Sequence, residues 1–118
     1  MADLIPPHGG LTEPVDRSVP QERIEQFRKE AATLEALPVS DADLSSVYRI
    51  GDGALSPLVG PMNRDDYEEV LRERTITREG RKYAWGIPIS LPVAKDLAST
   101  LEQGQRVRLT NEAGETVG

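Results

Sequence analysis

The sequence predicts an α+β domain, helices first and strands later. Helical spacing of apolar residues runs through the N-terminal part, as in Ile24, Phe27, Ala31 and Leu34. Two-residue alternation replaces it near the C-terminus, in "YAWGIPISLPV" and "QRVRL". A chain of 118 residues with one Phe, one Trp and three Tyr can bury one modest core, built mainly from Leu, Ile and Val.

Residues 1–17 form the first predicted segment, an extended arm. Within "LIPPHGGLTEPVD", prolines remove donors and glycines favour turns, so regular structure is excluded. The domain proper spans 18–118. Ser18 is placed to cap a first helix with Pro20 near its first position, and this helix is expected to end before Pro38. Ser40 with Asp43 marks a second helix, where Leu44, Val47 and Tyr48 share a face. Gly51 is the expected left-handed stop. Asn63 caps a third helix. Asp65, Asp66, Glu68 and Glu69 crowd its positive end, and Tyr67, Val70 and Leu71 are its buried stripe.

A strand follows, with Trp85, Ile87, Ile89, Leu91 and Val93 on one face; Pro88 and Pro92 make it an edge or interrupt it. Val93, Leu97 and Leu101 lie on a short helical face closed by Gly104. In "QRVRL" Val107 and Leu109 point inward and Arg106 and Arg108 outward. "NEAG" is a turn, and "ETV" opens another strand. A strand begun so close to Gly118 needs a partner, so the domain is expected to be incomplete on its C-terminal side.

The charge balance is 14 Lys+Arg against 20 Asp+Glu, a net of −6. Such a chain is repelled by phosphate backbones and anionic lipid unless bases cluster. The one basic stretch is Arg72, Arg74, Arg78, Arg81 and Lys82, readable as an anion-binding edge or as the charged surface of a helix end and hairpin. With no cysteine, disulfides, thiol nucleophiles and thiolate metal sites are excluded, which suits the cytoplasm. The start has no basic leader, and no segment approaches the roughly 20 apolar residues that span a bilayer.

Few residues suggest chemistry. His8 is the single histidine, so no His pair can hold a metal; it is either a turn or packing residue, or a ligand or interdomain hydrogen-bond partner. Gly51-Asp52-Gly53 lacks the preceding strand of a dinucleotide fingerprint. Adjacent helical carboxylates such as Asp65 and Asp66 do not converge on one point. "SPLVGPM" is a stiff apolar turn. Pro57 and Pro61 fix their own φ, and Leu55, Leu58, Val59 and Met62 are apolar enough to tuck beneath the domain.

Four segments carry a family resemblance. "PPHGG", "GALSPLVGPMNRDDYEEVL" at 53–71, "AWGIPISLPV" at 84–93 and "GQRVRLTNEAG" at 104–114 resemble, in order and spacing, the N-terminal region of sulfate adenylyltransferase, or ATP sulfurylase. Leu55 and Pro61 stand where that family usually has Phe, and Gly86 where Pro is common. The resemblance implies a PUA-like pseudo β-barrel with N-terminal helices. It also implies a parent enzyme that forms adenosine 5′-phosphosulfate and pyrophosphate from ATP and sulfate, with magnesium.

The family's catalytic signatures, Q-x-R-N and H-x-x-H, belong to a following domain. Neither occurs here: Ile24 follows Gln21-Glu22-Arg23, and there is one His. The resemblance therefore implies an accessory domain, inactive alone, with no catalytic, cofactor or metal residue of its own. Its expected partners are the catalytic domain of the parent chain and further copies of the parent. The expected interface is His8, Leu55, Leu58, Val59 and Met62. PUA-like folds also grip structured RNA, and the basic stretch 72–82 is the only support for that alternative.

Overall fold

The computed structural model describes residues 4–118; the first three residues of the predicted arm lie outside them. In chain order the elements are α1 (Ile24–Ala31, preceded by a 3-10 turn at Gln21–Arg23), β1 (Glu35–Pro38), α2 (Asp41–Gly51), α3 (Arg64–Glu73), β2 (Thr75–Arg78), β3 (Arg81–Ala84), α4 (Lys95–Ala98) and β4 (Val107–Thr110). This is the mixed helix-and-strand class predicted. The strands make two separate two-stranded sheets, β1–β4 and β2–β3, and no closed barrel is present among the described residues.

The chain divides into two units: residues 4–17 with 46–90, and residues 18–45 with 91–118. In the second, β1 pairs in parallel with β4, from Glu35 opposite Val107 to Pro38 opposite Thr110. That pairing overturns one expectation. Helix α1 stops at Ala31, and Glu35–Pro38 is strand although Leu34 continues the helical spacing. A ladder formed with residues 72 positions away, from Glu35 to Val107, outweighs local propensity. Ser18 is not the cap either, since Pro20 holds that position for the 3-10 turn with no side-chain bond. Past β4, Asn111 Oδ1 accepts from the Ala113 and Glu115 amides, at 3.1 and 2.9 Å, to close the predicted turn. Thr116 then bridges back to Thr110. The unit's buried apolar residues are Ala31, Leu37, Val39 and Leu44.

Helix α2 starts as predicted. The Asp43 amide donates to Ser40 Oγ at 3.2 Å, and that hydroxyl donates to Asp43 Oδ2 at 2.7 Å. Its end differs: Gly51 is the last helical residue, and the left-handed position is Gly53, at φ +88°. A side chain at Gly53 would meet the Val15 carbonyl at 2.5 Å. Of the predicted face, Leu44 is buried, Val47 half-buried and Tyr48 exposed.

Asn63 caps α3, its Oδ1 accepting from the Asp66 amide at 2.9 Å. Asn63→Ala is expected to cost about 1 kcal/mol, read as a shift in the urea midpoint. Val70 is buried at 2% exposure, whereas Leu71, expected beside it, is 61% exposed. Arg74 takes the left-handed C-cap at φ 57°. The hairpin β2–β3 turns on Glu79 and Gly80, both at positive φ, a geometry matched to strand twist. Ile76, fully buried, points into the unit.

The predicted strand at 85–93 is absent. The Trp85 amide still donates to the Arg74 carbonyl at 2.8 Å, but beyond it Pro88 and Pro92 have no N–H to extend a ladder. Ile89 alone of that face is buried, and Ile87 is 65% exposed. The helix at Val93–Leu101 shortens to Lys95–Ala98, and Gly104, at φ +84°, sits in the following turn. Among the described residues no helix is long and apolar enough to cross a membrane.

Candidate functional site: the proline corner and the arm that crosses it

Helix α2 ends at a corner whose residues serve one another. Asp52 Oδ1 accepts from the Ala54 amide at 3.0 Å, while its Oδ2 pairs with Arg49 at 2.9 Å. Ser56, buried, donates its hydroxyl to the Gly53 carbonyl at 2.6 Å and accepts from the Val15 amide at 2.9 Å. The Ser56–Pro57 peptide is cis. Leu58 then enters a core cluster with Ile50 and Ile89, against which Leu55, Met62 and Trp85 pack. The Met62 amide donates to the Ile89 carbonyl at 2.8 Å, fastening the far side of the turn. The amides of Ala54, Leu55, Ser56, Leu58 and Met62 are bonded within this scaffold.

The N-terminal arm lies across it. Gly9 is buried at φ +87°, and a Cβ there would sit 2.5 to 2.9 Å from three ring atoms of Pro57. Gly10 is similarly close to the Tyr83 hydroxyl. His8 Nε2 lies 2.7 Å from the Ala84 carbonyl, which fixes it as the protonated nitrogen. Its ring meets Tyr83 edge-on, with centroids 5.7 Å apart, and tilts against Trp85 at 6.1 Å. The Arg17 amide closes the arm on the Gly51 carbonyl at 2.9 Å. His8 thus sits in a turn and packs against the β3 end.

The expected interface residues do not share one environment. His8 and Val59 are exposed, Leu55 and Met62 half-buried, and Leu58 is 2% exposed. Leu58 faces inward and cannot touch a partner. Sequence reasoning missed Ser56 and Tyr83; an Ser-Pro pair after a glycine turn was the available signal for the first.

The charged stretch resolves into pairs. Arg78 grips Asp66 with two N–H groups, at 2.9 and 3.2 Å, and both side chains are mostly buried. Lys82 pairs with Glu73, which Arg72 also approaches at 3.5 Å. The hydrogen bond from Lys82, then its charge, holds the Glu73 carboxyl below the usual carboxylate range. Glu69 accepts from the Thr75 and Thr77 hydroxyls at 2.7 and 2.9 Å. In the shallow depression between α3 and the hairpin, Glu69 is thus bonded to Thr77, and Glu73 to Lys82 and Arg72, while Glu68 pairs with Arg64 outside it. Among the described residues no cluster of His, Asp or Glu is arranged to hold a metal ion.

Known proteins are similar to this chain. A sulfate adenylyltransferase of Pyropia yezoensis is 41% identical over 118 residues, all of this chain and 27% of that protein. One of Nostoc punctiforme is 37% identical over 115 residues, 98% of this chain and 28% of that protein. A solved structure described as a hexameric APS kinase from Thiobacillus denitrificans superimposes with a TM-score of 0.78 at 26% identity, over 97% of this chain and 22% of that one. The chain thus spans little more than a quarter of the curated relatives it matches. The family model of the PUA-like domain matches residues 5–118. With helices, paired short sheets and a match along nearly its whole length, the chain belongs to the PUA-like domain family.

Proposed function

We propose that this chain is the N-terminal, non-catalytic domain of a cytoplasmic sulfate adenylyltransferase. The parent enzyme joins ATP and sulfate, with magnesium, to give adenosine 5′-phosphosulfate and pyrophosphate. One observation carries the reading: relatives of that name match the chain from end to end, yet the chain accounts for only 27% and 28% of their length. The geometry agrees with it. Phosphoryl chemistry needs preorganised cations aimed at developing negative charge. Here Arg78, Lys82 and Arg72 are bonded to the domain's own carboxylates.

The domain's work in this reading is to buttress the catalytic part and neighbouring copies of an oligomer, with the two short sheets as pieces of the family's pseudo-barrel. The corner contributes Val59 and the arm contributes His8, both exposed; Leu55 and Met62 flank them, and Leu58 anchors them from inside. RNA binding gains no support, because three bases of the stretch 72–82 are neutralised in place. The test is a pyrophosphate-release assay with ATP and sulfate. Residues 1–118 alone are expected to give no turnover and the full-length enzyme to be active; turnover by the isolated chain would overturn the assignment.

A further inference from the structure

Met62 carries the only sulfur among the described residues, since the chain has no cysteine and its other methionine is Met1. The Met62 amide donates to the Ile89 carbonyl at 2.8 Å, and the Ile89 amide donates back to Met62 Sδ at 3.5 Å. Residues 62 and 89 are thus tied in both directions, once through main chain alone and once through a side-chain sulfur. Ile89 is buried, and among the described residues that sulfur is the acceptor its amide meets. Met62 itself is half-buried and packs against Ile50, Leu58 and Ile89. A thioether is apolar enough for such a contact, yet it keeps a second lone pair that an oxidant can take.

We propose that Met62 is a reversible oxidation site that controls closure of the proline corner. With hydrogen peroxide as oxidant, the step transfers one oxygen and two electrons. The free sulfur lone pair attacks one peroxide oxygen, an S–O bond forms and the O–O bond breaks. The hydroxide released takes up the remaining hydroxyl proton and leaves as water, so the thioether is oxidised to the sulfoxide and the peroxide is reduced.

The oxidised sulfur carries positive charge density and no longer serves the Ile89 amide as an acceptor. The new oxygen is polar where Leu58 and Ile50 offer only carbon. To present that oxygen to the amide, the side chain must leave its packing; to keep the packing, it must leave a buried N–H unpaired. Either outcome loosens the tie between 62 and 89, and with it the segment 58–62 that holds Val59 at the surface. A methionine sulfoxide reductase removes the oxygen and restores the closed corner.

Treatment of the full-length enzyme with millimolar hydrogen peroxide tests this, followed by peptide mass mapping and amide hydrogen exchange. Met62 is expected to gain one oxygen, and the Ile89 amide to exchange about tenfold faster than in untreated enzyme. Methionine sulfoxide reductase should reverse both changes. Met62→Leu keeps a similar apolar volume, so its Ile89 amide should exchange faster from the outset and be unmoved by peroxide. Met62 left intact while free methionine in the same solution is converted would overturn the proposal. So would oxidation at Met62 with no change in exchange at Ile89. Neither readout uses turnover, so failure of the assigned reaction would leave this result standing.

Discussion

Leu58→Ala is expected to cost about 2–5 kcal/mol of folding stability, the range for truncating a buried leucine. The side chain is 2% exposed and is held among Ile50, Ile89, Leu55, Met62 and Trp85. Removing it strips the apolar burial and leaves a void that can collapse only partly. Prolines at 57 and 61 flank it, and the hydrogen bond from the Met62 amide to the Ile89 carbonyl pins the far side. Against a total stability of roughly 5–15 kcal/mol for a small domain, such a loss brings the variant close to its unfolding threshold. Urea unfolding followed by circular dichroism measures it. The neighbouring Val59→Ala, at an exposed position, should fall within about 0.5 kcal/mol. A Leu58→Ala penalty below about 1 kcal/mol would mean that the corner is pliable and not scaffolding.

Gly9→Ala should destabilise by about 2–4 kcal/mol, through two causes that add. An L-residue at φ +87° is strained in itself, and the new methyl would stand 2.5 to 2.9 Å from the Pro57 ring. Neither neighbour can retreat, because Pro57 is clamped in the corner and the arm is bonded at His8 and Val15. Gly10→Ala should cost less, since what it meets is the hydroxyl end of Tyr83, a side chain able to shift. Gly60→Ala is the control: its φ is ordinary and the space beside it is open, so it should be near neutral in the same unfolding series.

The sequence made some elements plain because their signals are local. Asn63 followed by four acids, and Ser40 three residues before Asp43, are caps whose donor and acceptor lie within one turn, and both formed as read. The corner was legible for the same reason, since proline and glycine restrict or free their own dihedrals. What failed depended on distant partners. Glu35–Pro38 joins β4, which no helical periodicity reports, and residues 85–93 keep an alternating pattern but lose the ladder to two prolines. Pattern recorded which residues are apolar; Ile87, Leu71 and Tyr48 show that it did not record whether anything covers them. At the site, His8 was visible as a lone imidazole, but its acceptor, a backbone carbonyl 76 residues on, carries no side-chain signature.

The threading of the two units has a consequence for biosynthesis. Each is assembled from two separated stretches of chain, so no continuous half of the polypeptide contains a finished unit. On the ribosome, β1 emerges early and must wait for Val107–Thr110 before its ladder can close. Until then its edge is open to wrong partners, and a chaperone that shields nascent strands should bind stalled chains released before that point far better than those released after it.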